Sequence, residues 1–162
     1  KALETGTKLL LTPGMSQIYY GDETARNLDY PDAQGDATLR SFMNWDEIND
    51  TTKRNGVLIK DVLIHYQKLG KFRKDHISVG AGVHTMLSPA AYIFKREYKQ
   101  NNYTDKVVVG LDLKKGLKTI SVAEIFDDKT KLYDYYSNQQ VIVKDGMVNI
   151  TSDFTIVLLG IK

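Results

Sequence analysis

Two hydrophobic periods run along this chain. Over the first ~75 residues the apolar positions recur mainly at helical spacing. Ala2, Leu3, Gly6, Leu9 and Leu10 share one face, and Pro13-Gly14 predicts the stop of that helix. Gln17 to Tyr20 reads as a short apolar strand that ends at Gly21. From Asp22 to Asp50 the chain is polar, with Gly, Asn, Asp and Pro scattered through it. An irregular stretch of that length is uncommon in a compact domain unless it has a function. Val57 to Lys74 carries the clearest helical stripe: Leu58, Val62, Tyr66 and Leu69, widened by Ile59, Leu63 and Phe72. Lys71, Arg73 and Lys74 fall in its last turns, where the helix dipole favours cations.

From Ile77 the period drops to two. Tyr92, Phe94, Arg96 and Tyr98 alternate with their neighbours, Val107, Val109 and Leu111 follow the turn-rich QNNYTD, and Ile120, Val122 and Phe126 mark a third segment. Val141–Val143 and Met147–Ile150 flank Lys144-Asp145-Gly146, a pattern that predicts a hairpin closed by a type I′ turn. Phe154 to Ile161 predicts a last apolar strand. Short strands punctuated by turns predict an antiparallel β-sandwich of roughly 85 residues. The class is therefore α+β, with a mixed region over 1–76, a sandwich over 77–162, and a boundary in HISVGAG.

Composition narrows the function classes. The 162 residues carry 22 basic and 20 acidic side chains, interleaved, for a net charge of +2. That balance implies no nucleic-acid field. No apolar run approaches the ~20 residues that cross a bilayer. With no cysteine, disulfide and thiolate chemistry are excluded. His65, His76 and His84 stand far apart without a metal-ligand pattern, so no metal and no cofactor is expected. The chain opens KALETGTKLLL, without an initiator Met or a signal-peptide layout, and is expected to begin inside a longer one.

The candidate chemistry lies in the polar segment. Asp22 and Glu23 directly follow the predicted strand, where α/β barrels place active-site loops. Carboxylates there either face a substrate or satisfy backbone amides or an arginine, and the residues alone leave both readings open. LRSFMNWDE, residues 39–47, holds the single Trp, Trp45, near Arg40. This cluster either anchors the loop to a core or lines a sugar pocket, and Arg40 could clamp Asp22 or Glu23. Tyr133, Tyr135 and Tyr136 offer a sugar-stacking platform, or core and edge packing.

Three stretches carry a resemblance. Gly14-Met15-Ser16-Gln17-Ile18-Tyr19-Tyr20-Gly21-Asp22-Glu23 is similar to the eighth-strand pattern Gly-x-Pro-x-Ile-Tyr-Tyr-Gly-Asp-Glu of the α-amylase superfamily, glycoside hydrolase family 13, with Ser16 in place of proline. DATLRSFMNWDE resembles a stretch of the neopullulanase and cyclomaltodextrinase branch: Asp36, Arg40, Met43, Trp45, Asp46 and Glu47 match it, while Ala37 replaces a proline. YQKLGKFRKDH is similar to the end of the family's last barrel helix.

The resemblance implies that residues 1–76 are the end of a catalytic (β/α)8 TIM barrel and 77–162 the small C-terminal sandwich. The parent protein would hydrolyse α-glucans such as starch, pullulan or maltodextrins by a retaining two-carboxylate mechanism. The family's catalytic acids follow barrel strands upstream of Lys1, so the catalytic set here is empty and the chain alone is expected to be inactive. Arg40, Trp45, Asp22 and Glu23 are its expected substrate-side residues. Starch-utilising relatives are often secreted or periplasmic, which is the location expected of the parent. An end of a barrel without its neighbouring strands leaves apolar side chains bare, each forgoing roughly 1.5–3 kcal/mol. Their expected cover is the sandwich, a second copy, or a rearrangement. Two other functions fit the same residues: a carbohydrate-binding sandwich, or an oligomerisation module that forms a homodimer.

Overall fold

The computed structural model describes residues 1–28 and 31–162. The chain forms two compact units, one of residues 1–10 and 16–67, the other of residues 11–15 and 68–162.

The first unit is built on α1 (Ala2–Leu11) and the start of α2 (Ile59–Asp75). A Cβ on Gly6 would lie 2.6 Å from the Tyr66 ring, so glycine there lets α1 approach α2 at ring contact. His65 is buried against α1, its Nε2 2.8 Å from the Leu3 carbonyl and 3.0 Å from the Thr7 hydroxyl. Val57–Leu58, predicted as the first turn of the long helix, instead form β2 and pair antiparallel with β1 (Lys53–Arg54). Asn55 and Gly56 make the turn between them, both at positive φ.

The strand predicted over Gln17–Tyr20 does not form: these residues join no ladder. A strand exists only through hydrogen bonds to a neighbour, and the described residues supply none. Ile18, Tyr19 and Tyr20 are left 39–41% exposed. The polar segment that follows is shaped by three 3₁₀ turns, Asp22–Thr24, Gly35–Arg40 and Trp45–Glu47.

The second unit is an antiparallel sandwich. Six strands form one sheet in the order β3 (Val83–Ser88), β4 (Ile93–Gln100), β5 (Tyr103–Gly110), β10 (Val157–Gly160), β7 (Lys131–Asp134), β8 (Gln139–Ile142). Against it lie β6 (Gly116–Ser121) and β9 (Met147–Ser152), paired with each other. Val108, Leu132, Val157 and Leu159 meet Ile120, Val148 and Ile150 in the core. The last strand in sequence is thus central in space, and all four of its residues are buried. Burial on both faces of β10 needs cover on the other side of the sheet as well. Phe72 near the end of α2 supplies part of it, its ring 5.3 Å from that of Tyr135. The short α3 (Ser78–Ala81) adds Val79, which is buried.

The Lys144–Met147 turn forms as predicted, with Asp145 at φ 51 and Gly146 at φ 70 and 2.9 Å bonds in both directions between Lys144 and Met147. The hairpin ladder does not. β8 pairs with β7 in one sheet and β9 with β6 in the other, so this turn is a corner between sheets. Val143 decides it: its side chain enters the core and its amide bonds to Thr130, which pulls the two strands apart.

Candidate functional site

Gly21, at φ 93, turns the chain out of the Ile-Tyr-Tyr segment into the 3₁₀ turn Asp22–Thr24. Both acids then fold back on their own backbone. Oδ2 of Asp22 accepts from the Tyr19 amide at 3.1 Å, and Oε2 of Glu23 accepts from the Gly21 amide at 2.9 Å. Of the two readings left open by the sequence, this is the amide-capping one.

The arginine that organises the turn is Arg26. It is buried, and its guanidinium carbon lies 4.3 Å from the centre of the Tyr20 ring and 5.9 Å from that of Tyr19. Nη2 donates to the Leu39 carbonyl at 2.8 Å and Nη1 to the Ser41 carbonyl at 3.0 Å. The tyrosine hydroxyls aim at the same segment: Tyr19 donates to Leu39 at 3.2 Å and Tyr20 to Ser41 at 3.1 Å. Both carbonyls flanking Arg40 are therefore pinned, while the Arg40 side chain itself is exposed. The expected clamp of Arg40 on Asp22 or Glu23 is not formed among the described residues. Arg26 already fills the space against the tyrosines, and the acids are occupied by amides.

Trp45 opens the third 3₁₀ turn and is 67% exposed, with Phe42 nearby in sequence at 91%. Between the two, Asn44 joins this loop to the acid turn. Its Nδ2 donates to the Thr24 carbonyl at 3.0 Å and to Glu47 at 2.7 Å, and its Oδ1 accepts from the buried Thr24 hydroxyl at 2.7 Å. Glu47 is a structural acid, held by Arg54 Nη2 at 2.9 and 3.1 Å. A cavity of about 210 Å³ lies beside the acid turn, lined by Gly21, Asp22, Arg26 and Tyr66 among others. Burial first, and then the charges of Asp22 and Glu23, push the Tyr66 phenol above its ordinary pKa. The site thus displays an exposed carboxylate, an exposed guanidinium and exposed aromatic faces on a pinned loop. That set can hold hydroxyls and stack a ring.

Arg26 and the polar end of Tyr66 lie outside the residues singled out by the hydrophobic pattern and the motifs. The missed signal was a lone arginine a few residues past Tyr-Tyr-Gly, close enough to fold back over both rings. Of the tyrosine cluster, Tyr135 is buried against Phe72 and His76, and Tyr133 packs edge-on to it at 5.1 Å. Tyr136 stands edge-on to Phe154 at 5.1 Å, and Tyr133 and Tyr136 are half-buried. Among the described residues no group of three or more His, Cys, Asp or Glu is placed to hold a metal ion. Nor is any helix there long and apolar enough to cross a membrane.

No family model matches the chain. In sequence it is 35% identical over 102 residues to the periplasmic α-amylase of Escherichia coli (strain K12), a match that covers 62% of this chain and 14% of that protein. In fold it is similar to an Anoxybacillus α-amylase with a TM-score of 0.59 at 24% identity, covering 99% of this chain and 32% of the other. A Geobacillus thermoleovorans α-amylase complexed with acarbose gives a TM-score of 0.63 at 17% identity over 99% of this chain and 32% of that one. The chain therefore spans a small part of the proteins it matches. Over nearly its whole length the chain has a fold found in these α-amylase structures, and over 102 residues its sequence is similar to that of a periplasmic α-amylase.

Proposed function

We propose that this chain is the C-terminal part of an α-amylase-family glycoside hydrolase acting on α-glucans. The observation that carries the reading is the 102-residue similarity to a periplasmic α-amylase. The unladdered Gln17–Tyr20 segment supports it: three exposed apolar residues in a row behave as a barrel strand behaves without its neighbours. On this reading residues 1–76 close the barrel and 77–162 form the small sandwich domain. The DATLRSFMNWDE stretch points to the neopullulanase branch, and the location of the relative points to a periplasmic parent.

The hydrolytic carboxylates belong to upstream strands. A nucleophile and an acid/base ~5–5.5 Å apart give net retention. The role of this chain is to present Arg40 and Trp45 to the glucan from a loop held by Arg26, with Asp22 and Glu23 shaping the turn beneath them. The test is the full-length protein containing this chain, given soluble starch and followed by proton NMR. Release of reducing ends as the α-anomer is expected. An inert protein, or a β-anomeric product, overturns the reading.

A further inference from the structure

The β4–β5 hairpin carries a cluster that none of the functional residues above explains. Along one face of β4, Phe94 and Arg96 are buried, Tyr98 is half-buried and Gln100 is exposed. The register sets Tyr98 opposite Asp105 and Gln100 opposite Tyr103, so these four side chains share a face. The Tyr98 and Tyr103 rings stand 6.2 Å apart at 60°, and Tyr103 is 54% exposed. The Tyr98 hydroxyl donates to Oε1 of Gln100, which leaves the Gln100 amide nitrogen as a donor. Asn101, at φ 52, and Asn102 make the turn and add two further amides. An open cavity of about 570 Å³ lies here, lined by these residues and Ile77.

Tyr103 also lines a second cavity of about 420 Å³, with Asp75, His76, Asp105, Lys106 and Asp127 among its walls. The topology creates it. β10 ends at Gly160, opposite Val107, so residues 103–106 of β5 have no strand on that side among the described residues. Most charges in it are already engaged. Asp105 takes His76 Nδ1 at 2.9 Å and the Ser78 amide at 2.8 Å, and Lys106 is 3.6 Å from Glu97. An incoming anion would meet Asp75, Asp105 and Asp127, while an apolar partner would strand the amides without hydrogen bonds. A neutral ligand with both an apolar face and many hydroxyls suits the mixture. A pyranose ring has that character: its C–H face stacks on an aromatic ring, and its hydroxyls exchange bonds with amides and carboxylates.

We propose that this end of the sandwich unit is a carbohydrate-binding site that takes a run of neutral glucose units, stacked on the exposed Tyr103 ring with Tyr98 edge-on beside it, and hydrogen-bonded by Gln100, Asn101, Asn102 and Asp127. The choice of an α-glucan over other neutral sugars rests on the reading in the preceding subsection.

The test is a titration of the isotope-labelled 162-residue chain with maltoheptaose, and with cellohexaose beside it, followed by amide NMR. Saturable shifts at residues 98–103 and Asp127 are expected with maltoheptaose. Tyr103→Ala should weaken binding about tenfold, and Tyr103→Phe, which keeps the ring, should bind like the parent chain. Tyr103 is an exposed hairpin residue, so its spectrum also reports that the variant is folded. No shift at these amides, or an unchanged affinity for Tyr103→Ala, overturns the site. Shifts from cellohexaose alone overturn the α-glucan choice. Full-length protein that hydrolyses starch while residues 98–103 stay silent removes only this site. An inert full-length protein whose hairpin still binds maltoheptaose removes only the hydrolase reading.

Discussion

Asp105 bridges two elements of the sandwich unit: one carboxylate oxygen accepts from His76 Nδ1 at 2.9 Å and the other from the Ser78 amide at 2.8 Å. The pair ties the end of α2 and the start of α3 to β5. Burial pushes the Asp105 pKa up, but the bonds from His76 and Ser78 outweigh it and hold the carboxyl below its ordinary value.

A group whose folded pKa is depressed stabilises the fold above its unfolded value and loses that contribution as pH falls through the folded one. The sandwich unit is therefore expected to lose stability as pH drops below about 4. Asp105→Asn keeps the shape and removes the charge, at a cost of about 1.5–3 kcal/mol at neutral pH. Urea unfolding at pH 7 and pH 3 checks this: the gap between the two proteins should narrow at the lower pH. An equal gap at both refutes the assignment.

Gly160 and His76 form a second dependence in the same unit. A Cβ at position 160 would lie 2.2 Å from His76 Nε2, so Gly160→Ala forces the imbalance onto a buried ring and its Asp105 bond. Overpacking of this kind costs about 1–3 kcal/mol. Gly70→Ala, in open space on α2, should instead be neutral or stabilising. Thermal unfolding of the two variants distinguishes them.

In the first unit, Arg26→Ala should release the Leu39–Ser41 segment. It removes two carbonyl partners and the stack on Tyr20, a loss of about 2–3 kcal/mol. Arg26→Lys should rescue little, since an ammonium lacks the planar fork that spans two carbonyls. Hydrogen exchange at residues 35–45 reads the effect directly, and unchanged protection there would refute the pinning role.

Trp45→Ala should leave the stability of the chain within about 0.5 kcal/mol, because the side chain is 67% exposed. In the full-length protein the same change should raise KM for starch severalfold with kcat less affected, the signature of lost substrate binding. A variant with wild-type KM would remove Trp45 from the substrate face.

The elements legible in the sequence were those with a local cause. α1, the body of α2 and the Asp145-Gly146 turn follow from periodicity, a Pro-Gly stop and residues suited to positive φ. What was not legible depends on partners distant in sequence. The central place of β10 and the split of β8 from β9 into two sheets are set by long-range pairing that no local pattern encodes. The Gln17–Tyr20 segment has strand composition without a ladder, because ladder bonds must come from other strands. At the site, the exposed Trp45 and the two acids were visible as residue types. That Arg26 would stack on the tyrosines, and that Arg40 would not clamp Asp22 or Glu23, was not, since both depend on contacts with the Leu39–Ser41 segment, more than ten positions from Arg26.

Asp22 and Glu23 cap a turn, and on the proposed reading hydrolysis needs carboxylates from outside this chain. Incubation of the purified 162-residue chain with soluble starch tests it, with reducing ends measured over hours against the full-length protein. No release above a boiled control is expected from the chain alone. Release that disappears in an Asp22→Asn or Glu23→Gln variant would contradict it.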